Sequence, residues 1–223
     1  MGDQLRLELE PAADTRRDRF IVSTPNREAV EMLNVWPDER GGTLALIGPA
    51  GAGKTSLALA WAERTRAEIL DAAALAAELF AEAAGALVLD EADGVVHGET
   101  FFHLLNWAVT PGRALLLTSR TSPKSWPVEV PDLRSRLNAM PVIQLGEPDD
   151  VILRGLLVKL FQQRSIRPPQ DLLAYLLLRM ERSAPAAQAM VAALDEKALA
   201  DHRAVSRALA REILQDEADD IEG

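Results

Sequence analysis

Eight residues constrain this chain more than any others: GPAGAGKT, from Gly48 to Thr55, which follows the apolar run TLALI and leads into a stretch with helical periodicity. Gly48, Gly53, Lys54 and Thr55 stand at the four specified positions of a phosphate-binding loop. Each residue type has a physical reason to be there. Glycines let the backbone curl around an anion, and a helix that starts at the loop turns its unpaired amides toward that same anion. A lysine at this spacing reaches the β and γ phosphates, while a threonine hydroxyl holds magnesium. The candidate nucleotide segment is therefore Gly48, Pro49, Ala50, Gly51, Ala52, Gly53, Lys54, Thr55 and the adjoining Ser56, with ATP or ADP and Mg2+ as the implied cofactors.

A second segment, ALVLDEAD, is an apolar strand that ends in Asp90 and Glu91. A carboxylate at the C-terminal end of a parallel strand lies beside such a loop, where Asp90 can bind hydrated magnesium and Glu91 can polarise a water. Asp93 reads as a turn residue. In a third segment, ALLLTSRTSP, either Thr118 or Ser119 ends a strand and is placed to orient the attacking water. A strand that simply finishes in small polar residues would look the same.

The apolar runs TLALI, EIL, ALVLD, ALLLT and VIQL alternate with longer alanine- and leucine-rich segments. That alternation predicts an α/β fold with a mostly parallel sheet, an αβα base followed by a small helical domain. Helices are expected from Lys54 to Thr65, from Ala72 to Ala84 and from Glu99 to Val109, and three or four more after Leu145, where strand signals stop. The expected domains are an arm over 1–15, a nucleotide-binding base over 16–147, a helical lid over 148–215 and an acidic, solvated tail over 216–223.

At 223 residues the chain can bury a substantial core, and its 48% hydrophobic and 26% charged residues are globular proportions. With no cysteine, disulfides and thiolate chemistry are excluded, and a reducing cytoplasm is the expected compartment. The first residues lack the pattern of a secretory signal, Arg6 stands where myristoylation needs Ser or Thr, and no apolar run of 18 occurs, so no membrane partner is expected. A net charge of −10 argues against free-standing, sequence-specific DNA binding and toward a protein partner.

Taken in order, FIVSTPNREA, GPAGAGKT, LVLDEAD, LLLTSRTSP, PDLRSRL and a helical lid resemble the AAA+ domain of the replication initiator DnaA over roughly residues 18 to 215. The resemblance implies that Phe20, Ile21, Val22 and Pro25 contact the adenine; a hydrophobic lead into the first helix is the plainer alternative. It also implies that PDLRSRL presents an arginine to a neighbouring subunit's nucleotide, best matched by Arg136 with Arg134 second, against a pair of surface arginines bound to acids. The lid's nucleotide-sensing arginine has no direct match: Pro185 occupies its place and only Arg182 lies nearby. The initiator's helix-turn-helix domain has no counterpart after the lid here, which implies no direct origin recognition.

An AAA+ segment of this kind preceded by QLRLEL is similar to the Hda-type, DnaA-related regulators of replication initiation. In that family a short peptide docks on the sliding clamp, the β subunit of DNA polymerase III. The matching positions are Gln4, Leu7 and Leu9, with Leu5 among them, and an extended peptide with alternate apolar side chains suits an apolar groove. An edge strand is the competing reading. The resemblance implies DnaA and the clamp as partners, possible self-association as a homodimer, a cytoplasmic, nucleoid-associated location, and stimulated hydrolysis of DnaA-bound ATP. An autonomous AAA+ ATPase such as a helicase loader and, further off, a small-metabolite kinase are the alternatives.

Overall fold

The computed structural model describes residues 20–37, 41–73, 75–76, 80–95 and 99–221, the last helix by its backbone alone beyond residue 214. The arm with Gln4, Leu5, Leu7 and Leu9 lies outside the described residues. Five strands form one parallel sheet: β1 (Gly42–Ile47), β2 (Glu68–Leu70), β3 (Ala86–Leu89), β4 (Ala114–Ser119) and β5 (Val142–Gln144), in the order β2-β3-β4-β1-β5. Every strand coincides with one of the apolar runs. All four pairings are parallel, so β1, the first strand made, sits between β4 and β5.

Alternation along the strands divides the core in two. Leu87 and Leu89 of β3 and Leu115 and Leu117 of β4 face α3 (Glu99–Ala108) and α4 (Pro131–Ala139), joining Phe101, Leu104 and Leu137. Val88, Ala114 and Leu116 face the opposite way and pack with Leu57, Ala58 and Trp61 of α2 (Lys54–Thr65) and Ala29 and Leu33 of α1 (Arg27–Val35). Trp61 stacks on Trp36 with ring centroids 5.0 Å apart and donates to its carbonyl at 2.9 Å, which fastens α1 to α2.

Four helices follow the sheet: α5 (Asp150–Gln163), α6 (Gln170–Arg179), α7 (Ala184–Ala200) and α8 (Arg207–Ile221). They share a separate apolar cluster that includes Leu157, Phe161, Leu176, Val191, Leu194 and Leu209. Three starts are capped by side chains, Asp149 accepting from the Ile152 amide at 3.0 Å, Ser183 from the Ala186 amide at 3.2 Å and Ser206 from the Leu209 amide at 3.4 Å.

Two expectations need correction. The helix expected from Ala72 to Ala84 is absent among the described residues of that stretch, which form turns and irregular chain. Alanine propensity is a weak force there, and the stretch is anchored by tertiary contacts instead: Phe80 is buried in the core, and the Trp107 indole donates to the Ala83 carbonyl at 3.1 Å. At the other end, the backbone of α8 runs on to Ile221, through most of the expected tail.

Candidate functional site

The loop leaves β1 at Gly48 and enters α2 at Lys54, with Gly51 at φ +74° and Gly53 at φ +93°. Those two positions occupy the left-handed region, which explains glycine at both. Pro49, Ala50, Thr55 and Ser56 are exposed or nearly so, whereas Ala52 is buried on the α2 side of the sheet. Lys54 is buried along its length, and its ammonium donates to the carbonyls of Gly48 and Pro49, each at 2.9 Å. Burial lowers its pKa first, then the positive charge of Arg120, against the raising influence of Asp90, Asp93 and Glu91. An anion at this position would offset both lowering causes.

Where the loop enters α2, Thr55 meets two polar side chains, Asp90 and Thr118, at the carboxyl ends of β3 and β4. Thr55 donates to one oxygen of Asp90 at 2.9 Å, and Thr118 donates to the other in a short hydrogen bond. The Thr118 oxygen also accepts from the Glu91 amide at 2.9 Å. The register accounts for this convergence: Leu89 lies opposite Leu117, so the next residues, Asp90 and Thr118, are neighbours on the face that carries Val88, Leu116 and α2. Ser119 points to the other face and donates to the Thr121 carbonyl at 2.6 Å. Of the two residues left open by the sequence, Thr118 joins the site and Ser119 does not.

Glu91 is exposed and stands at φ +52°, an uncommon conformation for a non-glycine residue. The turn over Ala92–Gly94 and the amide bond to Thr118 hold it there. Such outliers concentrate at functional positions. Asp93, read as a turn residue, accepts from the Arg120 amide at 3.2 Å and so ties the turn after β3 to the end of β4. Arg120 is the residue that sequence reasoning passed over, because a cation just past a strand carries no pattern.

The segment from Phe20 to Asn26 is threaded between the loop and the lid. The Phe20 ring lies 3.7 Å from where a Cβ on Gly53 would be, Ile21 packs against Gly155 of α5, and Pro25 packs against Gly146, whose amide donates to the Pro25 carbonyl at 2.9 Å. Val22 is 47% exposed, so it alone of the four candidate adenine contacts stays largely in solvent. Asn26 fixes the curve by accepting from the Ser23 amide and donating to the Ile21 carbonyl, both at 2.8 Å. Ser23 donates to Asp149, the cap of α5, in a short bond. For Asp149 burial pushes the pKa up, but the Ser23 hydroxyl and the Ile152 and Val151 amides outweigh it and hold the carboxyl below its ordinary value.

The lid meets the loop directly. A Cβ on Gly51 would stand 2.5 Å from the Ser183 Cβ, and the Ala184 amide donates to the Gly51 carbonyl at 3.3 Å. With Ala186 bonded to Ser183 and Pro185 lacking an N–H, the first donors of α7 are committed. Arg182 pairs with Asp150 at 2.7 Å and reaches the Pro148 carbonyl at 3.3 Å, so its guanidinium braces the junction between β5 and α5.

On α4 the two candidate finger arginines have different surroundings. Arg134 donates to the carbonyls of Lys124, Trp126 and Val128 at 3.1, 2.7 and 2.6 Å, which makes it a tie for the preceding loop. Arg136 makes one surface pair with Asp132 at 3.1 Å and lies 5.4 Å over the Phe102 ring. Of the two, Arg136 is the one that keeps donors another molecule could take.

No protein-family model matches the chain, and no curated protein matches it. Solved structures do. Domain III of the Thermotoga maritima replication initiation protein DnaA superposes with a TM-score of 0.76 at 17% identity, covering 93% of this chain and 98% of that one. The chain has the AAA+ fold. DnaA from Aquifex aeolicus bound to AMPPCP gives a TM-score of 0.69 at 18% identity, covering 90% of this chain and 68% of that one. A point variant of Thermotoga maritima RuvB gives 0.67 at 16%, covering 89% and 70%. Among the described residues no helix is long and apolar enough to cross a membrane, and no group of three or more His, Asp or Glu forms a metal cluster.

Proposed function

We propose that this protein is a DnaA-related AAA+ regulator that binds an adenine nucleotide with magnesium and stimulates hydrolysis of the ATP held by DnaA, limiting initiation of chromosome replication. Arg136 carries the reading. It is the arginine of PDLRSRL held by a single surface pair, with Asp132, and so left with donors to offer, on a helix apart from the chain's own loop. Inserted beside a partner's γ phosphate, a guanidinium stabilises the charge that develops there and accelerates hydrolysis by about 10³ to 10⁵.

The chain's own site supports nucleotide binding. Gly48 to Ser56 supply backbone and hydroxyl donors, Lys54 supplies a buried cation, and Thr55 with Asp90 would hold Mg2+. Phe20, Ile21 and Pro25 border the space beside Gly53 and α5 where a base would lie, and AMPPCP in the Aquifex aeolicus structure is an adenine nucleotide. Gln4, Leu5, Leu7 and Leu9 would dock the chain on the DNA-loaded sliding clamp, placing it near DnaA in the cytoplasm at the nucleoid. Self-association as a homodimer is compatible with this role.

The second reading is an autonomous AAA+ ATPase such as a helicase loader. What favours it is the intact arrangement of Asp90, Thr118 and Glu91, which suits hydrolysis in the chain's own site. One experiment separates the two: single-turnover hydrolysis of ATP bound to DnaA, with clamp loaded on DNA, comparing wild type, Arg136→Ala and a Gln4, Leu7 and Leu9 triple alanine. Acceleration lost in both variants supports the tethered regulator. No acceleration by wild type, together with Glu91-dependent hydrolysis by the chain alone, supports the autonomous enzyme.

A further inference from the structure

We propose that Asp132 is the positioning residue for Arg136: its carboxylate takes the Nε–H of the guanidinium and leaves the four terminal N–H groups for a phosphate on another molecule. The assignment rests on the reading of Arg136 as the residue that acts on a partner's nucleotide. The first observation is which atom is paired. One oxygen of Asp132 accepts from Arg136 Nε at 3.1 Å, one helical turn apart on α4. A guanidinium has five N–H groups, one on Nε and four on the two terminal nitrogens. Among the described residues none of those four has a hydrogen-bond partner. The carboxylate therefore fixes the root of the guanidinium and leaves its end open, where two terminal nitrogens can take a phosphate in a two-pronged contact.

The second observation is what else confines the side chain. The guanidinium carbon lies 5.4 Å over the ring of Phe102, which is itself packed against the core beneath α3. The Arg136 side chain is 33% exposed against 58% for Asp132, so the arginine is laid along the protein and the carboxylate is the outer member of the pair. The helix that carries both is anchored too. Leu133 and Leu137 are buried, and Arg134 ties the start of α4 to the carbonyls of Lys124, Trp126 and Val128. Two opposing effects follow. A free arginine has much rotamer freedom to lose when it meets a phosphate, and confinement by Asp132 and the ring removes part of that cost beforehand. Against this, the charge of Asp132 holds the guanidinium back. That attraction is weak, because the carboxylate stands largely in solvent. Confinement wins, and removing Asp132 slows the reaction instead of releasing it.

The test is single-turnover hydrolysis of DnaA-bound ATP with clamp loaded on DNA, titrated with the full chain as wild type, Asp132→Ala and Asp132→Asn. Asparagine keeps an oxygen that accepts from Nε but carries no charge. The maximal rate should fall by about 3- to 10-fold in Asp132→Ala, with the half-saturating concentration changed less than about twofold. Asp132→Asn should stay within about twofold of wild type in both, a rescue that a role through charge alone would not produce. In the chain by itself, the Nε–H resonance of Arg136, assigned by its loss in Arg136→Ala, should be ordered in wild type and Asp132→Asn and mobile in Asp132→Ala. Circular dichroism should show all three folded. Equal maximal rates in the three proteins, a faster rate in either variant, or Asp132→Asn as slow as Asp132→Ala would overturn the assignment and leave the regulator reading standing. Wild type that gives no acceleration would overturn that reading and the role of Asp132 with it.

Discussion

Replacing Gly51 by alanine should loosen the lid, and the size of the effect can be worked out from the contact. At φ +74° an L-residue costs about 1–2 kcal/mol. The new Cβ would also meet the Ser183 Cβ at 2.5 Å and the Pro185 Cδ at 3.2 Å, forcing the start of α7 off the loop or compressing it, which costs about 1–3 kcal/mol more. Gly112 is the control. It has φ +80° and nothing within 4 Å of its added Cβ, so Gly112→Ala carries the conformational cost without the clash. The gain from a stiffer unfolded chain is common to both and cancels. The difference between the two variants should therefore be about 1–3 kcal/mol, or about 3–10 °C in melting temperature for a chain of this size, read by circular dichroism. Adding Ser183→Gly to Gly51→Ala removes the opposing Cβ and should recover most of that gap, since glycine is nearly as good an N-cap as serine. Gly51→Ala no worse than Gly112→Ala, or no recovery in the double variant, would refute the direct seating of the lid on the loop.

The two arginines of α4 should separate in urea denaturation: Arg134→Ala costs about 1–3 kcal/mol because three carbonyls lose a charged donor, whereas Arg136→Ala costs about 0.5 kcal/mol or less. Thr118→Val keeps the shape but strands an Asp90 oxygen and the Glu91 amide, and should cost about 1–2 kcal/mol in the same assay. Asp149→Ala removes the cap of α5 and the partner of Ser23 and should destabilise by about 1 kcal/mol at pH 7. Because the folded carboxyl titrates below its unfolded value, wild type holds this advantage above about pH 4 and loses it as pH falls through the folded pKa, so unfolding midpoints of the two proteins should converge in acid.

Much of the base was legible because its signals are local. Each strand is a short apolar run, and the loop is a contiguous motif whose glycines answer to backbone angles. The stretch from Ala72 to Ala84 misled because alanine favours a helix only when nothing stronger acts, and the anchors that decide its path, Phe80 and the Trp107 bond to Ala83, come from burial and a distant element. Thr118 and Ser119 could not be told apart in one dimension, since adjacent strand residues face opposite layers and only the pairing of Leu117 with Leu89 shows which layer holds Asp90. Arg134 and Arg136 likewise sit two apart in one motif. Their roles diverge because three carbonyls of the preceding loop converge on one and none on the other. Arg120 needed the sheet order, which sets the end of β4 between two segments that sequence alone leaves far apart.

The central place of β1 also has a consequence for the chain during synthesis. Both hydrogen-bonding edges of β1 are matched only by later strands, β4 at Ala114–Ser119 and β5 at Val142–Gln144. A ribosome that has just released Thr65 has therefore exposed a loop and its helix built around a strand with two open edges. β2 and β3, made next, pair with each other and cannot close either edge. The sheet stays in two pieces until β4 emerges and joins both, because it alone neighbours β3 on one side and β1 on the other. Long-range parallel pairing of this kind is slow and leaves strand edges exposed to other nascent chains. Between the emergence of β1 and that of β4 both edges of β1 are open at once, so that interval is when the growing chain is most exposed to pairing with other strands.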